Sequence, residues 1–360
     1  MSQSARYRQQ RNWGCRILEY IYKGMQTVFL ENEKLRIGIL VDKGTDIFEF
    51  SYKPRDQDFV WLSAKGVHNP VSSLSTSPDL MATFLDSYLG GWQEILPNGG
   101  APSSYEGAQF GQHGEVSNLA WDYRIVEDTV EQVAITFSVR LQKVPFFLEK
   151  TLRLRAAESC LFIEEDLVNE SDVSLHAMWG HHITFGYPFL DESCIIRLPE
   201  HVTVSPHATS IHPHGRRING EKHYTWPFVE GSDGERINLS QIPPRGTMSE
   251  MVYLQHFQQG WYEIINRQKG LGLRVEWDVQ RMPYLWFWQE YGASTAYPWY
   301  GRTYTIGLEP FSSYPTDGIA QAVANNTALV LGARQKQHFS CLARVIESPL
   351  MEEQEGERHA

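Results

Sequence analysis

The sequence predicts an all-β fold built from large antiparallel sheets. Short runs rich in Val, Ile, Phe and Tyr recur about every ten residues between turn residues, a spacing typical of such sheets. Helical periodicity is scarce along the chain. The composition agrees, because 42% hydrophobic residues with 28 Gly and 18 Pro suit a globular protein with many turns.

Strands are predicted in order along the chain. Those before the central histidines include residues 133–144 and 146–170, whose alternation of apolar with charged residues indicates one solvated face. Val71–Pro78 is rich in serine and predicts a loop. Further strands are predicted at Leu35–Val41, Asp46–Tyr52, Phe59–Leu62, Met251–His256, Tyr262–Asn266 and Leu271–Asp278.

Two glycine-rich segments precede the centre of the chain. Residues 86–100 have paired glycines at both ends, which predicts a turn whose backbone approaches another group closely. His113 is bracketed by Gly111 and Gly114 and is therefore expected on a loop. Loops on a rigid scaffold often carry functional side chains, which makes His113 a candidate site residue.

The run from Met178 to Gly186 predicts a buried strand that contains His181 and His182. Successive side chains on a strand point to opposite faces, so only one of the two histidines can face a given pocket. The same reasoning applies to the aromatic run from Tyr284 to Tyr291, one side of which is core while the other suits the floor of a pocket.

Two later segments carry ionisable candidates. Glu309 lies where an apolar strand leaves the sheet, immediately before Pro310. His212 and His214 have an H-x-H spacing that would suit a metal ion, but no carboxylate or third histidine follows at a familiar spacing. We therefore interpret the H-x-H segment as a solvated loop.

Charge and composition restrict the partners. A formal net charge of -11 argues against nucleic acid and anionic membranes, which need clustered Lys and Arg. The four cysteines show neither metal-ligand nor disulfide-framework spacing, and no signal peptide or membrane span is evident. The sequence predicts a cytoplasmic protein with a small-molecule partner, one domain over residues 1–350 and an acidic, disordered tail over 351–360.

Three motifs, in this order, resemble the aldose 1-epimerase (galactose mutarotase-like) family. QHGEVSNLAW at 112–121 is similar to the histidine loop of the family, and MWGHHITFG at 178–186 is similar to its NH-x-x-F segment. IGLEPFSSYPTD at 306–317 resembles its late LEP motif. Residues 86–100 are similar to a glycine-rich turn of some members, so the resemblance spans roughly residues 86–317.

The resemblance implies a large antiparallel β-sandwich and an isomerase that interconverts the α and β anomers of a free monosaccharide. It implies Glu309 as the general base for the anomeric hydroxyl, His182 as the general acid for the ring oxygen, and His113 as a partner of the sugar. His182 is chosen over His181 because Phe185 follows it by three positions. The chemistry needs no cofactor and no metal, since His and Glu are readily tuned to either role.

The sugar is expected to contact further residues, among them aromatic side chains with an apolar face and a polar edge. Glu250 is a stand-in for a family carboxylate that binds ring hydroxyls, and the arginine of the first family motif is absent after His113-Gly114. A phosphorylated sugar is disfavoured by the acidic chain. The expected substrate-binding residues are His181, Trp92, Gln93, Asn98, Glu250, Trp286 and Trp288.

Two other functions stay open at this point. A non-catalytic carbohydrate-binding β-sandwich would use the aromatic residues but not the acid–base set, because a fold does not fix a function. A metal-dependent enzyme would use the histidines at 181, 182, 212 and 214. The sequence also leaves open which sugar is bound and the oligomeric state.

Overall fold

A computed structural model of the chain describes residues 14–70 and 79–347. Its first strands are β1 (Arg16–Tyr22), β2 (Met25–Glu31), β3 (Leu35–Leu40), β4 (Asp46–Tyr52), β5 (Gln57–Asp58), β6 (Trp92–Ile95), β7 (Ser103–Tyr105), β8 (Ala108–Phe110) and β9 (Asp122–Asp128). The next are β10 (Gln132–Arg140), β11 (Phe146–Arg155), β12 (Cys160–Asn169), β13 (Leu175–Ala177), β14 (Gly180–Gly186), β15 (Cys194–Arg197), β16 (Thr203–Pro206), β17 (Tyr224–Thr225) and β18 (Phe228–Glu230).

The remaining strands are β19 (Arg236–Asn238), β20 (Glu250–Gln255), β21 (Gly260–Asn266), β22 (Leu271–Trp277), β23 (Tyr284–Glu290), β24 (Thr305–Phe311), β25 (Leu329–Leu331) and β26 (Lys336–Glu347). Helices are short: α1 (Ala82–Leu85), α2 (Ile319–Ala324) and 3-10 turns at Lys53–Arg55 and Val116–Asn118. Within the described ranges, no helix has the length and apolarity that a bilayer crossing requires.

The strands form two large sheets and three two-stranded ribbons. A 12-stranded sheet runs in the order β1-β2-β3-β4-β6-β14-β24-β23-β20-β16-β17, with β5 beside β4. An eight-stranded sheet runs β15-β21-β22-β26-β12-β11-β10-β9. All pairings between these strands are antiparallel. The predicted all-β antiparallel class is confirmed.

One large apolar core contains side chains from both sheets, as in a β-sandwich. The 12-stranded sheet contributes Ile37 and Phe185, and the eight-stranded sheet contributes Ile163 and Phe339. The strands alternate between buried and more exposed residues, as β11 does throughout its length. This period of two is what the alternating sequence of residues 146–170 predicted. The predicted β-sandwich is therefore confirmed.

Local predictions agree less well with the structure. Phe59–Leu62 is not a strand but makes single bridges, from Val60 to Phe185 and from Leu62 to Gly90. The segment predicted as a glycine-rich turn contains β6, which pairs with β14 in the middle of the large sheet. The predicted loop at 71–78 and the predicted tail at 351–360 lie outside the described residues, and the single domain stays a prediction.

The central strands β6, β14, β24, β23 and β20 have two different faces. On β14, Ile183 and Phe185 belong to the core between the sheets. On β23 and β20, the alternate residues Trp286 and Met251 belong to a second apolar cluster on the outer face. Because neighbouring side chains alternate, the same strands supply both the core and a second, functional surface.

Candidate active site

A cavity of about 360 Å³ lies on the outer face of the central strands. Its floor consists of side chains of the large sheet, and its walls come from α1 and from the loops near residues 112, 211 and 297. His113, His182 and Glu309 all line it, although they are far apart along the chain. A cavity of this size is in the range that binds small organic ligands.

Strand register brings His182 and Glu309 together. Thr184 pairs with Gly307 and Gly180 with Phe311, which places His182 opposite Glu309 on adjacent antiparallel strands. Side chains in such cross-strand positions are direct neighbours on one face of a sheet. The distance from His182 Nε2 to Glu309 Oε1 is 3.5 Å, so the two groups form a buried acid–base pair.

Hydrogen bonds orient both imidazoles. The Gly100 N–H donates to His113 Nδ1 at 3.2 Å, which leaves the proton of the neutral ring on Nε2. The Tyr88 hydroxyl donates to Thr184 Oγ1 at 3.5 Å and lies 3.4 Å from His182 Nδ1, so it can accept the Nδ1–H of the neutral ring and leave Nε2 unprotonated toward Glu309. The His113 and His182 rings lie 5.1 Å apart in an edge-to-face arrangement. The site therefore presents two oriented imidazoles beside one carboxyl.

Burial shifts the pKa values of these groups. Desolvation raises the pKa of Glu309 well above its usual 4.5. Desolvation also lowers the pKa of His182 to about 3. The pKa of His113 is lowered well below 6.5, mainly by burial and then by the charge of His182. The Glu309–His182 pair accordingly holds a single proton over a wide range of pH.

Gly307 makes room for the carboxyl of Glu309. A Cβ atom at this position would lie 2.1 Å from Glu309 Oε1, far inside van der Waals contact. The Glu309 carboxyl therefore folds back along its own strand toward Gly307, the residue that pairs with Trp288 on β23. Only glycine at 307 leaves this space free.

Glu290 is a second carboxylate at the cavity, and the sequence analysis did not select it. Its Oε2 accepts hydrogen bonds from the hydroxyls of Ser249 and Ser294 at 2.5 and 2.6 Å. Its Oε1 accepts from the Gly292 N–H at 3.0 Å. Strand alternation from Trp286 was the signal that could have found it, since residues 286, 288 and 290 share one face.

Of the seven predicted substrate-binding residues, Trp286 and Trp288 line the cavity. Trp286 stacks on Phe311 with ring centroids 3.6 Å apart, and its indole N–H donates to the Ser313 carbonyl at 2.9 Å. The Trp288 ring centroid lies 6.1 Å from that of His182. Trp286 is thus fixed as part of the floor, whereas Trp288 borders the acid–base pair.

His181 and Trp92 do not line the cavity, which corrects the expectation for both. They lie on the opposite face of the sheet, where the Trp92 indole N–H donates to His181 Nδ1 at 2.9 Å. His181 Nε2 is 3.2 Å from Glu165 Oε2 on β12 of the other sheet. Alternation along β14 is the reason, because it sends one histidine outward and the next inward.

Gln93 and Asn98 also lie outside the cavity lining and serve as internal braces. The Gln93 amide donates to the carboxylate of Asp46 at 3.2 Å. The Asn98 amide donates to the Ala101 carbonyl at 2.9 Å, and its oxygen accepts from the Ile319 N–H at 2.7 Å. The Asn98 amide is thus engaged by protein groups, whereas Gln93 Oε1 is buried without a hydrogen-bond partner among the described residues; neither side chain lines the cavity.

Glu250 is the fifth correction. Its carboxylate accepts hydrogen bonds from the backbone N–H groups of Arg217 and Ile218, the latter at 2.8 Å. It therefore anchors the loop that follows residue 210. Met251, not Glu250, is the residue of β20 that lines the cavity, because the two point to opposite faces.

One group of buried side chains has donor atoms close enough to hold a metal ion. One carboxylate oxygen each from Glu94 and Glu165 and one ring nitrogen of His181 lie within 4.8 Å of one another. The Lys150 ammonium is already 3.4 Å from Glu94 Oε2, and the Trp179 indole N–H donates to Glu94 Oε1 at 2.6 Å. Lysine and indole donors occupy the carboxylate that a metal ion would need, so the group fits an ion-pair cluster better than a metal centre.

The histidine set suggested for a metal enzyme is split by the fold. His181 and His182 point to opposite faces of β14. The rings of His212 and His214 lie 5.7 Å apart on a loop. Among residues 14–70 and 79–347, neither loop histidine belongs to a group with metal-binding geometry.

Solved structures with a galactose mutarotase-like fold resemble this chain. A candidate aldose 1-epimerase from Klebsiella pneumoniae is 15% identical, with a TM-score of 0.71 over 93% of this chain and 88% of that one. A galactose mutarotase-like protein from Clostridium acetobutylicum is 12% identical, with a TM-score of 0.64 over 93% and 100% of the two chains. At these identities the likeness shows the fold, which is the galactose mutarotase-like sandwich.

The sequence itself defines the family. Residues 22–227, more than half of the chain, match the family described as "domain of unknown function (DUF4432)". The chain therefore belongs to the DUF4432 family. No curated protein sequence matches it.

The depressed pKa of His182 predicts an acid-sensitive contribution to stability. A group with a pKa of about 3 when folded and 6.5 when unfolded destabilises the fold as pH falls below 6.5. Between pH 6.5 and 5, the unfolding free energy of His182→Gln should fall by about 2 kcal/mol less than that of wild type. Urea unfolding at several pH values measures this difference.

Above pH 7 the imidazole is neutral in both states and serves as an internal control. There the difference in unfolding free energy between His182→Gln and wild type should not change with pH. Equal acid slopes for the two proteins would contradict the buried, neutral state of His182.

Proposed function

We propose that this protein is an isomerase that interconverts the α and β anomers of a free monosaccharide, as an aldose 1-epimerase does. The observation that carries the proposal is the His182–Glu309 pair, 3.5 Å apart and beside His113 in a cavity of about 360 Å³. The description of the Klebsiella pneumoniae structure as a candidate aldose 1-epimerase supports it by analogy of fold.

Anomer interconversion needs one proton acceptor and one proton donor at the same time. The acceptor removes the proton from the anomeric hydroxyl while the donor protonates the ring oxygen, and the bond between C1 and the ring oxygen breaks. Rotation about the C1–C2 bond presents the other face of the aldehyde, and ring closure reverses both transfers. The sugar ends with the same atoms and the site with the same proton count.

A His182–Glu309 pair that shares one proton suits this cycle. With the proton on His182, the Glu309 carboxylate is the base and the imidazolium is the acid, which is the assignment expected from the sequence. Burial favours the proton on Glu309 instead, and the carboxylic acid is then the proton donor while the unprotonated Nε2 of neutral His182 is the acceptor. Both assignments leave one acid and one base, since each group changes role between ring opening and closure.

His113 and Trp288 would position the sugar. With Nδ1 engaged by the Gly100 N–H, the Nε2–H of His113 is the group left to donate to an oxygen of the substrate. That hydrogen bond would stabilise negative charge that develops on the ring oxygen. Trp288 borders His182 on the floor and offers an apolar face to a sugar ring.

Glu309→Gln and His182→Gln should each lower the enzymatic rate by about 100-fold or more, the usual contribution of a general acid or base. Saturation-transfer exchange NMR on the anomeric protons of a panel of free aldoses measures the rate. Glu164→Gln, an exposed carboxylate on β12, is the matched control and should keep the wild-type rate. Sugar binding by wild type without any acceleration would instead indicate a carbohydrate-binding protein.

The enzymatic rate should follow a bell-shaped dependence on pH. The singly protonated pair is the active form, so the rate should fall as pH rises through the raised pKa of Glu309. On the acidic side it should fall only as the second proton binds, because the pKa of His182 is about 3. Initial rates corrected for spontaneous mutarotation test this, and a rate that increases steadily into alkali would contradict the shared proton.

Gly307→Ala should displace the Glu309 carboxyl and leave the fold intact. The new methyl group would overlap Oε1, which is the free end of a flexible side chain and can move away. A displacement of about 1 Å at a catalytic group can cost roughly 100-fold in rate. Exchange NMR gives the rate, and thermal unfolding followed by circular dichroism should stay close to wild type.

Gly332→Ala is the matched control, since a Cβ there meets only the side chain of Gln335, at 3.2 Å. It should keep both rate and stability. Full activity in Gly307→Ala would show that the position of the Glu309 carboxyl does not matter.

A further inference from the structure

The cavity combines an acidic floor with an apolar outer wall, and we infer from this that its substrate is an uncharged deoxy sugar. The inference rests on the proposed function, because it names the substrate class of the same cavity. Three features of the lining carry it: the sign of its charges, the state of its hydroxyl groups and the chemistry of the wall remote from the sheet.

The ionisable carboxyls that line the cavity are Glu290 and Glu309. Among the described lining residues there is no lysine or arginine. Nearby arginines are engaged elsewhere: Arg217 donates to the Gln289 side chain, and Arg245 donates to a backbone carbonyl. A phosphate or carboxylate on the sugar would therefore find no cationic partner in the lining and would lie near the Glu290 carboxylate, which opposes binding.

Several hydroxyl groups of the lining already have partners within the protein. Ser249 and Ser294 both donate to the Glu290 carboxylate. The Tyr297 hydroxyl donates to Asp86 Oδ1 at 2.8 Å. The hydroxyl protons of these three residues are donated to carboxylates of the protein. Fewer donors therefore remain for sugar hydroxyls than the number of polar side chains suggests.

The wall away from the sheet is apolar. It consists of α1 and of the loops that follow residues 210 and 295, and it presents Met81, Leu85, Ile211, Pro213 and Pro298 to the cavity. Phe84 of α1 lies instead beside the histidines, with its ring centroid 4.6 Å from that of His113 and 6.0 Å from that of His182. A sugar whose anomeric centre lies at the acid–base pair on the sheet presents its remote edge to this wall. These side chains offer no hydrogen-bond partner to a hydroxyl, whereas a deoxy carbon would gain apolar contact with them.

Gln112 is the polar exception. Its Oε1 is buried and has no hydrogen-bond partner in the described residues, and the side chain lines the cavity. An unpartnered acceptor can accept a hydrogen bond from one substrate hydroxyl. The lining thus recognises a sugar that retains some hydroxyls and lacks others, rather than a purely apolar ligand.

An apolar pocket rejects an added hydroxyl only moderately. We therefore expect kcat/KM for a deoxy sugar to exceed that for its parent by roughly 10- to 100-fold. Charged sugars should show no acceleration at all.

The test compares sugars of the same configuration by exchange NMR with the full chain. The pairs are D-glucose and 6-deoxy-D-glucose, D-galactose and D-fucose, L-galactose and L-fucose, and L-mannose and L-rhamnose, together with 3- and 4-deoxy-D-glucose. Glucose 6-phosphate and glucuronate test the charge argument. A preferred deoxy sugar supports the inference, whereas equal or higher kcat/KM for a parent hexose or a charged sugar overturns it.

Met81→Gln tests the wall directly. Met81 lines the cavity and is 42% exposed, so a side chain of similar size with an amide should be tolerated there. It should reduce the preference for the deoxy sugar several-fold, because the amide offers a partner to the extra hydroxyl. Leu80→Gln, next in sequence, 37% exposed and outside the cavity lining, should keep the wild-type preference.

Sugar binding measured by saturation-transfer-difference NMR separates the two proposals. Tighter binding of deoxy sugars without acceleration would support the substrate class and overturn the isomerase. Acceleration of parent hexoses as large as that of their deoxy counterparts would support the isomerase and overturn the substrate class.

Discussion

Alternation of side chains along β14 is the constraint on which the rest of the molecule depends. His182 points into the cavity, and His181, one residue earlier, points between the sheets toward Glu165. Buried charges are tolerated only when they are paired. Although burial alone would lower it, the pKa of His181 is raised, because Glu165 and Glu94 lie beside it. The strand is therefore held from its inner face by the hydrogen bond from Trp92 to His181 Nδ1 and by the contact between His181 Nε2 and Glu165, while its outer face carries the acid–base group.

The fold could be predicted from sequence because it depends on a local pattern. A period of two over residues 146–170 marks strands wherever it occurs. Motif order along the chain was enough to select His113, His182 and Glu309, and the structure brings all three into one cavity. Their roles in catalysis remain proposals that only rate measurements can test.

The rest of the site could not be predicted because it depends on register and on loops. Whether residue 181 or 182 faces the cavity is a matter of one position, and a shift of one residue reverses every side chain of a strand. Glu250 was predicted to bind the substrate, although Met251 is the residue of β20 that faces the cavity. Tyr88 and Gln112 come from connections whose conformation no periodic pattern determines, and their contact with His182 or the cavity is visible only in three dimensions.

The site is divided between parts that can and cannot vary. His182, Glu309 and Trp286 form one continuous row across three hydrogen-bonded strands, and an insertion in any of those strands would separate them. The outer wall comes from α1 and from two loops, which tolerate changes of length and composition far better. A change of ligand is therefore expected to come from changes in these loops, while the sheet keeps His182, Glu309 and Trp286 in one row.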